Sequence, residues 1–327
     1  MIITRTPLRI SLLGGGTDIP SFYETESGCV FNFSINRYVY LCLNNIFESD
    51  GYFLKYSDIE KCNDVLKIKH RIIKSIFSQY GIKGVELMSS ADYPGGTGMG
   101  SSGAFSVGMH RLCNEYLNND LTNYEYANLA CKTEIEKLGE PIGKQDQFGC
   151  AIGGAKFIEF ESDGVVNVNK IILSHKHESL IKNNIFLVRI PGTRSASEIL
   201  ADQFKNLKSN IDKQQTLRHM ASQAREFSLD IENNFNDIGE YLHEAWVAKK
   251  SLSNHVSNED VDKIYAQGLK AGAVGGKILG AGKSGFLLLY CPENNHEEFL
   301  ASMSSYHIEK IELDKKGSVT LCKDSFN

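Results

Sequence analysis

The stretch Pro94-Gly-Gly-Thr-Gly-Met-Gly-Ser-Ser-Gly-Ala104 concentrates the residue types that hold a phosphate chain. Gly95, Gly96, Gly98, Gly100 and Gly103 leave the backbone uncovered, so its N–H groups can come close to a ligand. Ser101 and Ser102 add hydroxyls that suit a phosphate oxygen or a magnesium ion. A helical apolar pattern follows over 104–117. The first N–H groups of such a helix and its dipole favour an anion. A flexible turn is the competing reading, but a turn rarely needs so many glycines followed by two serines.

A second candidate lies near the start, where Leu8-Arg-Ile-Ser-Leu-Leu runs into Gly14-Gly15-Gly16-Thr17-Asp18. Short polar groups on so bare a backbone suit the paired hydroxyls of a sugar. Asp18 also fits a plain helix N-cap before Ile19-Pro20. Glu134, in a helical pattern over 124–138, and Asp146, in Gly143-Lys-Gln-Asp-Gln-Phe-Gly149, are the next carboxylates. Phosphoryl transfer needs phosphate charge neutralised through a metal and a group that orients or deprotonates the attacking hydroxyl. Two carboxylates could divide that work. Spacing alone does not say which does which, and a helical Glu is often merely solvated.

Two motif matches are set aside. Gly98-x-Gly100-x-x-Gly103 fits the dinucleotide fingerprint, which expects a strand after the helix ending in an acid about 20 residues on. Here another amphipathic helix follows Leu121, and Asp120 sits in a loop, which argues against an NAD-dependent oxidoreductase. Gly280-Ala-Gly-Lys-Ser284 suggests a Walker loop. That motif needs a glycine where Lys277 stands and a helix afterwards, whereas 286–290 is an apolar strand pattern. A hairpin whose glycine-rich bend leans toward the nucleotide is the better reading, beside a purely structural turn.

These residues must be positioned by a mixed set of elements. Strand alternation marks 9–12, 30–35 and 38–43. Helix spacing marks 67–80, stopped by Gly81. A strand at 85–88 precedes the glycine-rich loop. A short helix at 145–152 ends at Gly153-Gly154, and a hairpin over 156–160 and 165–168 turns at Ser162-Asp163-Gly164. The polar stretch 172–184 is the expected boundary. After it come a strand at 185–190, three or four helical stretches up to about residue 269, strands at 275–279 and 286–290, a short helix and two closing strands. The alternation of a doubly wound sheet is absent. The helical stripe Leu242, Ala245, Trp246 and Lys249 reads as packing.

Composition narrows the classes. The chain has 327 residues, 42% hydrophobic and 23% charged. Lys and Arg less Asp and Glu give 35 − 40 = −5, against the basic surplus of a nucleic-acid binder. No apolar run approaches the ~18 residues of a membrane helix. Met1–Pro7 lacks a signal-peptide layout. The eight cysteines form no Cys-x-x-Cys pair and sit among apolar neighbours, so they are expected as reduced residues of a cytoplasmic protein. The histidines show no metal spacing.

Pro7 to Asp18, Pro94 to Ala104 and Ile278 to Gly285 together resemble the three ordered motifs of the galactokinase, homoserine kinase, mevalonate kinase and phosphomevalonate kinase (GHMP) superfamily. The resemblance covers nearly the whole chain. Gly-Gly-Gly-Thr-Asp and Gly-Lys-Gln-Asp-Gln look most like the bacterial heptose 7-phosphate kinases and their fucokinase relatives. The resemblance implies an α+β, two-domain fold, with a mixed-sheet N-terminal domain (1–180) and a ferredoxin-like C-terminal domain (181–327). It implies ATP over Pro94, Gly95, Gly96, Thr97, Gly98, Gly100, Ser101, Ser102 and Gly103, and Mg²⁺ at Ser102 (or Ser101) and Glu134. It makes Asp146 the catalytic carboxylate and Arg9 the cation beside the transferred phosphate. The sugar is expected against Gly15, Gly16, Thr17 and Asp18, with Gly280 and Gly282 closing the site. Gly15-Gly16 replaces the Glu-His of galactokinases, which speaks against galactose. The implied reaction phosphorylates the anomeric hydroxyl of D-glycero-D-manno-heptose 7-phosphate, toward GDP-heptose and surface glycans. Arg194, Lys144 and Lys283 are the candidate cations for the phosphate already on the sugar, Arg194 and Lys144 before Lys283. An L-fucose-type kinase acting on a free sugar and a non-catalytic sugar sensor are the alternatives. A monomer and a homodimer both remain open.

Overall fold

The computed structural model describes residues 1–191 and 207–324. Two long strands form its spine. β1 (Ile2–Leu13) and β2 (Gly28–Asn45) pair antiparallel along most of their length. Alternation had suggested two strands over 30–43, but they are one. Between the Pro7–Tyr38 and Arg9–Ser34 pairs, β1 advances two residues and β2 four. The polar break at Asn36-Arg37 is therefore a bulge in a continuous strand. A second register shift follows between Ser11 and Leu13. Bulges bend a strand and re-aim its side chains, and they gather near active sites. Arg9 and Ser11 lie between these two.

The first sheet runs β12-β1-β2-β5-β3-β4, with β6 and β7 continuing from the first half of β2. β3 (Tyr52–Lys55) and β4 (Ile59–Cys62) are four-residue strands that the sequence pattern did not reveal. β5 (Val85–Ala91) and the β6–β7 hairpin (Ala155–Phe160 and Val166–Ile171) stand where expected. On this sheet pack α2 (Arg71–Tyr80), closed by left-handed Gly81, and α3 (Ser101–Tyr116). Next come α4 (Asn123–Cys131), started by a Thr122–Glu125 capping box, and α5 (Gln145–Ala151). A single turn, α1 (Pro20–Tyr23), lies between β1 and β2.

The stretch 172–184, expected as an irregular boundary, contains a helix, α6 (His175–Asn184), capped by the Ser174 hydroxyl. The second sheet is antiparallel with order β11-β8-β10-β9, made of β8 (Ile185–Ile190), β9 (Gly275–Ile278), β10 (Gly285–Tyr290) and β11 (Ile308–Lys310). With helices after its first and third strands, this is the β-α-β-β-α-β order of a ferredoxin-like unit. Its helices are α7 (Ile211–Leu229), α8 (Ile231–Asn234), α9 (Ile238–Leu252), α10 (Glu259–Lys270) and α11 (His296–Ser302). The last strand, β12 (Val319–Lys323), returns to pair with β1. The two sheets share one apolar core, in which Phe227 of α7 meets Phe31 of β2 edge-on with ring centroids 5.0 Å apart. Trp246 is fully buried, as its helical stripe foretold. All eight cysteines are free thiols. Among the described residues no helix is long and apolar enough to cross a membrane.

Candidate active site

A cavity of about 400 Å³ opens where β1, the N-termini of α3 and α5, the turn after β1 and the β9–β10 bend converge. At its centre Arg9 donates to Asp146. Nε lies 2.9 Å and Nη2 2.5 Å from the same oxygen, Oδ1. Nη1 donates to Gly98 O at 2.8 Å. The Arg9 side chain is 4% exposed and that of Asp146 31%. Burial opposes the guanidinium charge, but Asp146, with Cys150 and Asp18, outweighs it and together they hold the Arg9 pKa above its usual value. Because both guanidinium bonds fall on Oδ1, Oδ2 is left for whatever enters the cavity.

The glycine-rich loop delivers α3 to this centre. Gly98 has φ +83°, and a Cβ there would lie 2.4 Å from Leu279 O. Gly280 mirrors it: a Cβ would lie 2.3 Å from Gly98 Cα. The two glycine-rich loops thus touch backbone to backbone, as expected for a bend leaning inward. Strand β10 follows the bend, which excludes a Walker loop. Gly96, Gly98, Gly100, Ser101, Ser102 and Gly103 line the cavity, so the N-terminus of a 16-residue helix faces it.

Glu134 reaches the same space through an irregularity. Helix α4 runs directly into a π-helical turn, Lys132–Lys137, where Leu138 N donates to Thr133 O. Such turns are rare and favour functional sites. Behind it, His110 Nε2 pairs with Thr133 Oγ1 at 2.8 Å, and Tyr80 OH with His110 Nδ1 at 2.9 Å. Glu134 is fully buried. Its carboxylate accepts from the Ser102 hydroxyl and from Gln147 Nε2, the latter at 2.9 Å. Burial pushes its pKa up to about 7, against these two neutral donors.

Asp18, 2% exposed, closes the opposite side. Its oxygens accept from Gly16 N at 3.2 Å and from Gln145 N and Nε2, each at 3.1 Å. Burial lifts its pKa to about 6 despite those bonds. Gly143 makes the contact possible, since a Cβ there would lie 1.9 Å from Asp18 Oδ2. Asp18 therefore ties the N-terminal turn to the start of α5 while lining the cavity with Gly15 and Gly16.

Comparisons with known proteins identify the family of the chain that carries this site. Residues 66–154 match the GHMP kinases N terminal domain. Over 305 residues the chain is 32% identical to the D-glycero-alpha-D-manno-heptose 7-phosphate kinase of Campylobacter jejuni, spanning 88% of this chain and 89% of the relative. The chain belongs to the GHMP kinase family. Two solved structures share the fold. One is a D-glycero-D-manno-heptose 1-phosphate kinase from Bacteroides thetaiotaomicron, with TM-score 0.80, 20% identity and coverage of 99% of this chain and 100% of that one. The other is the Lactococcus lactis galactokinase complexed with galactose, with TM-score 0.78, 17% identity and coverage of 98% and 95%.

This GHMP kinase, an ATP-dependent sugar kinase by its family and relatives, departs in places from the sequence expectations. Thr17 is fully buried. Its hydroxyl lies 2.8 Å from Gly14 O and 2.9 Å from Cys29 O and accepts from Cys29 N at 3.0 Å, so it pins the turn to β2 instead of facing the cavity. The Lys144 ammonium turns away, donating to Gly164 O at 2.6 Å over the Tyr23 ring. Pro94 and Gly95 are exposed outside the cavity wall, and Thr97 is buried with its hydroxyl on Pro94 O. Gly282 packs against Val256 O and, like Lys283, does not line the cavity. Arg194 lies outside the described residues. Lys277, Lys249, Ser11 and Gln145 do line it and were not expected to. In the sequence Lys277 only breaks a Walker match. Its place on β9, three residues before the glycine-rich bend, was the signal available.

Proposed function

We propose that this kinase moves the γ-phosphoryl of ATP to the anomeric hydroxyl of D-glycero-D-manno-heptose 7-phosphate, giving the 1,7-bisphosphate for GDP-heptose synthesis in the cytoplasm. The observation that carries the reading is the Arg9–Asp146 pair, set between the α3 N-terminus and the Gly14–Asp18 turn. It occurs in a chain with 32% identity to a heptose 7-phosphate kinase. The ATP phosphates would lie along the cavity-lining part of the loop, Gly96 to Gly103. Asp146 Oδ2 would take the proton of the sugar hydroxyl. Arg9 would meet the charge that builds on the transferred group, as preorganised cations do. Asp18, Gly15 and Gly16 would receive the sugar. In this reading 1–180 and 181–327 act as two domains around the site.

The donor set fits Mg²⁺. Among the described residues no group of three or more His, Cys, Asp or Glu gathers. Mg²⁺ does not need one, because one or two carboxylates suffice when phosphates supply further oxygens. Glu134 is a buried carboxylate held by neutral donors, and Ser101 Oγ is buried with no partner among the described residues. With Ser102 these atoms would hold the ion, which neutralises phosphate charge. Release of ADP, measured with heptose 7-phosphate, free heptose, galactose and L-fucose, tests the proposal. The phosphorylated heptose should give the highest kcat/KM. Preference for L-fucose or another free sugar would replace this reading with that of a free-sugar kinase.

A further inference from the structure

Three buried lysines stand near the catalytic pair, and they differ in how far their donors are used. An ammonium carries three N–H groups, and a buried charge is costly unless they are satisfied or it meets a counter-ion. Lys156 is fully buried and outside the cavity wall. It donates to Ser34 Oγ at 3.1 Å, Gly149 O at 3.1 Å and Gly154 O at 3.0 Å. All its N–H groups are engaged, and its work is to hold the end of α5. Lys249 donates to Ile278 O at 3.2 Å and to Gly280 O, which fastens α9 to the glycine-rich bend.

Lys277 is different. It is 2% exposed, lines the cavity, and among the described residues has one acceptor, Leu12 O at 2.8 Å. Burial and the nearby Arg9 charge lower its pKa to about 7. Its carbonyl partner lies next to Ser11. Ser11 is 8% exposed and lines the cavity, and its Oγ is buried without a partner among the described residues. A Cβ on Gly15 would lie 3.3 Å from that oxygen and 3.9 Å from Gln145 Nε2. Lys277 and Ser11 thus stand at the Gly14–Asp18 side of the cavity, whereas the nucleotide is served by the start of α3. Arg9, whose charge reaches Lys277, donates to Asp146.

We infer that Lys277, with the Ser11 hydroxyl, seats the phosphate that the sugar substrate already carries. This rests on the reading of the substrate as a phosphorylated heptose. An anionic oxygen there would accept from the unused ammonium donors and from Ser11, and would compensate the buried charge. It also offers a reason for a cation whose burial is otherwise unsatisfied: the phosphate completes its surroundings.

Lys277→Gln keeps an N–H for Leu12 O and removes the charge, Lys277→Met removes both, and Ser11→Ala deletes one oxygen. Wild type and variants are assayed with heptose 7-phosphate and with free heptose, alongside KM for ATP and melting temperature. The lysine variants should raise the sugar-phosphate KM by roughly 10–100-fold, the range of a charged hydrogen bond. KM for ATP and turnover of free heptose should hardly move. Ser11→Ala should show a smaller shift of the same pattern. Equal losses on both sugars, or a shift in KM for ATP instead, would overturn the assignment of Lys277. Should both lysine variants fail to melt cooperatively, Ser11→Ala decides: a KM for the phosphorylated sugar unchanged from wild type overturns the seat. Wild type that ignores heptose 7-phosphate altogether sinks the substrate reading first and this inference with it.

Discussion

Asp146 and Glu134 line one cavity and are held in opposite ways. Asp146 is 31% exposed and receives two bonds from a guanidinium on one oxygen. Glu134 is fully buried and receives one bond on each oxygen, both from neutral donors. Arg9 gives Asp146, a cavity-lining residue, a counter-charge and leaves its second oxygen without a bond from the guanidinium. Among the described residues Glu134 has no such partner, and burial favours its protonated form. The two settings suit different work: in the proposed reading one carboxylate meets a substrate hydroxyl and the other a positive ion. The surrounding elements enforce this. Asp146 stands on the first turn of a short helix facing the cleft, while Glu134 stands on a π turn that a helix of normal pitch would rotate elsewhere.

The sharpest way to break this contrast is Asp146→Asn. The amide keeps the shape but cannot take a proton. Turnover should fall by ~10²-fold or more, with nucleotide binding retained. Steady-state kinetics paired with an ATP-binding titration would read it, and near-normal kcat would strip Asp146 of its role. Next in size is Gly98→Ala. Gly98 O receives Arg9 Nη1, and the residue has positive φ against Leu279 O. A side chain there must part the two glycine-rich loops and disturb the arginine that holds Asp146. A residue strained in this way costs about 1–3 kcal/mol, so the melting temperature should drop by several degrees. KM for ATP should rise along with the loss of turnover. A variant with unchanged melting and kinetics would show that the loop contact does not support the Asp146 side of the comparison.

The sequence spoke most clearly where backbone chemistry is written in glycine. The loop 94–104, the turn 14–18 and the bend 280–285 could all be read, because runs of glycine have few other uses. The carboxylates were visible as types, and their division of labour came through family resemblance. What stayed hidden was direction. Lys144 adjoins Gln145 and Asp146 in sequence, yet its long side chain leaves toward Gly164. Thr17 is spent on the turn itself. β3 and β4 are short and polar-edged, too brief for alternation to show. Lys277 reads as an ordinary strand residue until two sheets meet around it. The π turn at Glu134, closed by the Leu138–Thr133 bond across five residues and backed by the His110–Thr133 contact, has no signature in the sequence.

The smallest expected effect tests the Glu134 half of the contrast without any substrate. Its carboxyl is raised from 4.5 to about 7, and Asp18 from 3.8 to about 6, both by burial. Above the ordinary carboxylate range the unfolded chain has released these protons while the folded chain still holds them. At these two groups the folded protein then binds more protons than the unfolded, so their contribution to stability falls as pH rises through the interval up to about 7. Glu134→Gln removes one of the two contributors. In metal-free buffer, melting between about pH 5 and about pH 8 should therefore decline more steeply for wild type than for the variant, by about 1–3 kcal/mol across the interval. Mg²⁺ with nucleotide should reverse the trend for wild type, because a cation favours the ionised carboxylate and binds better as the proton leaves. Parallel pH profiles for the two proteins would mean that Glu134 is already charged in the resting site. The difference from Asp146 would then be one of depth alone.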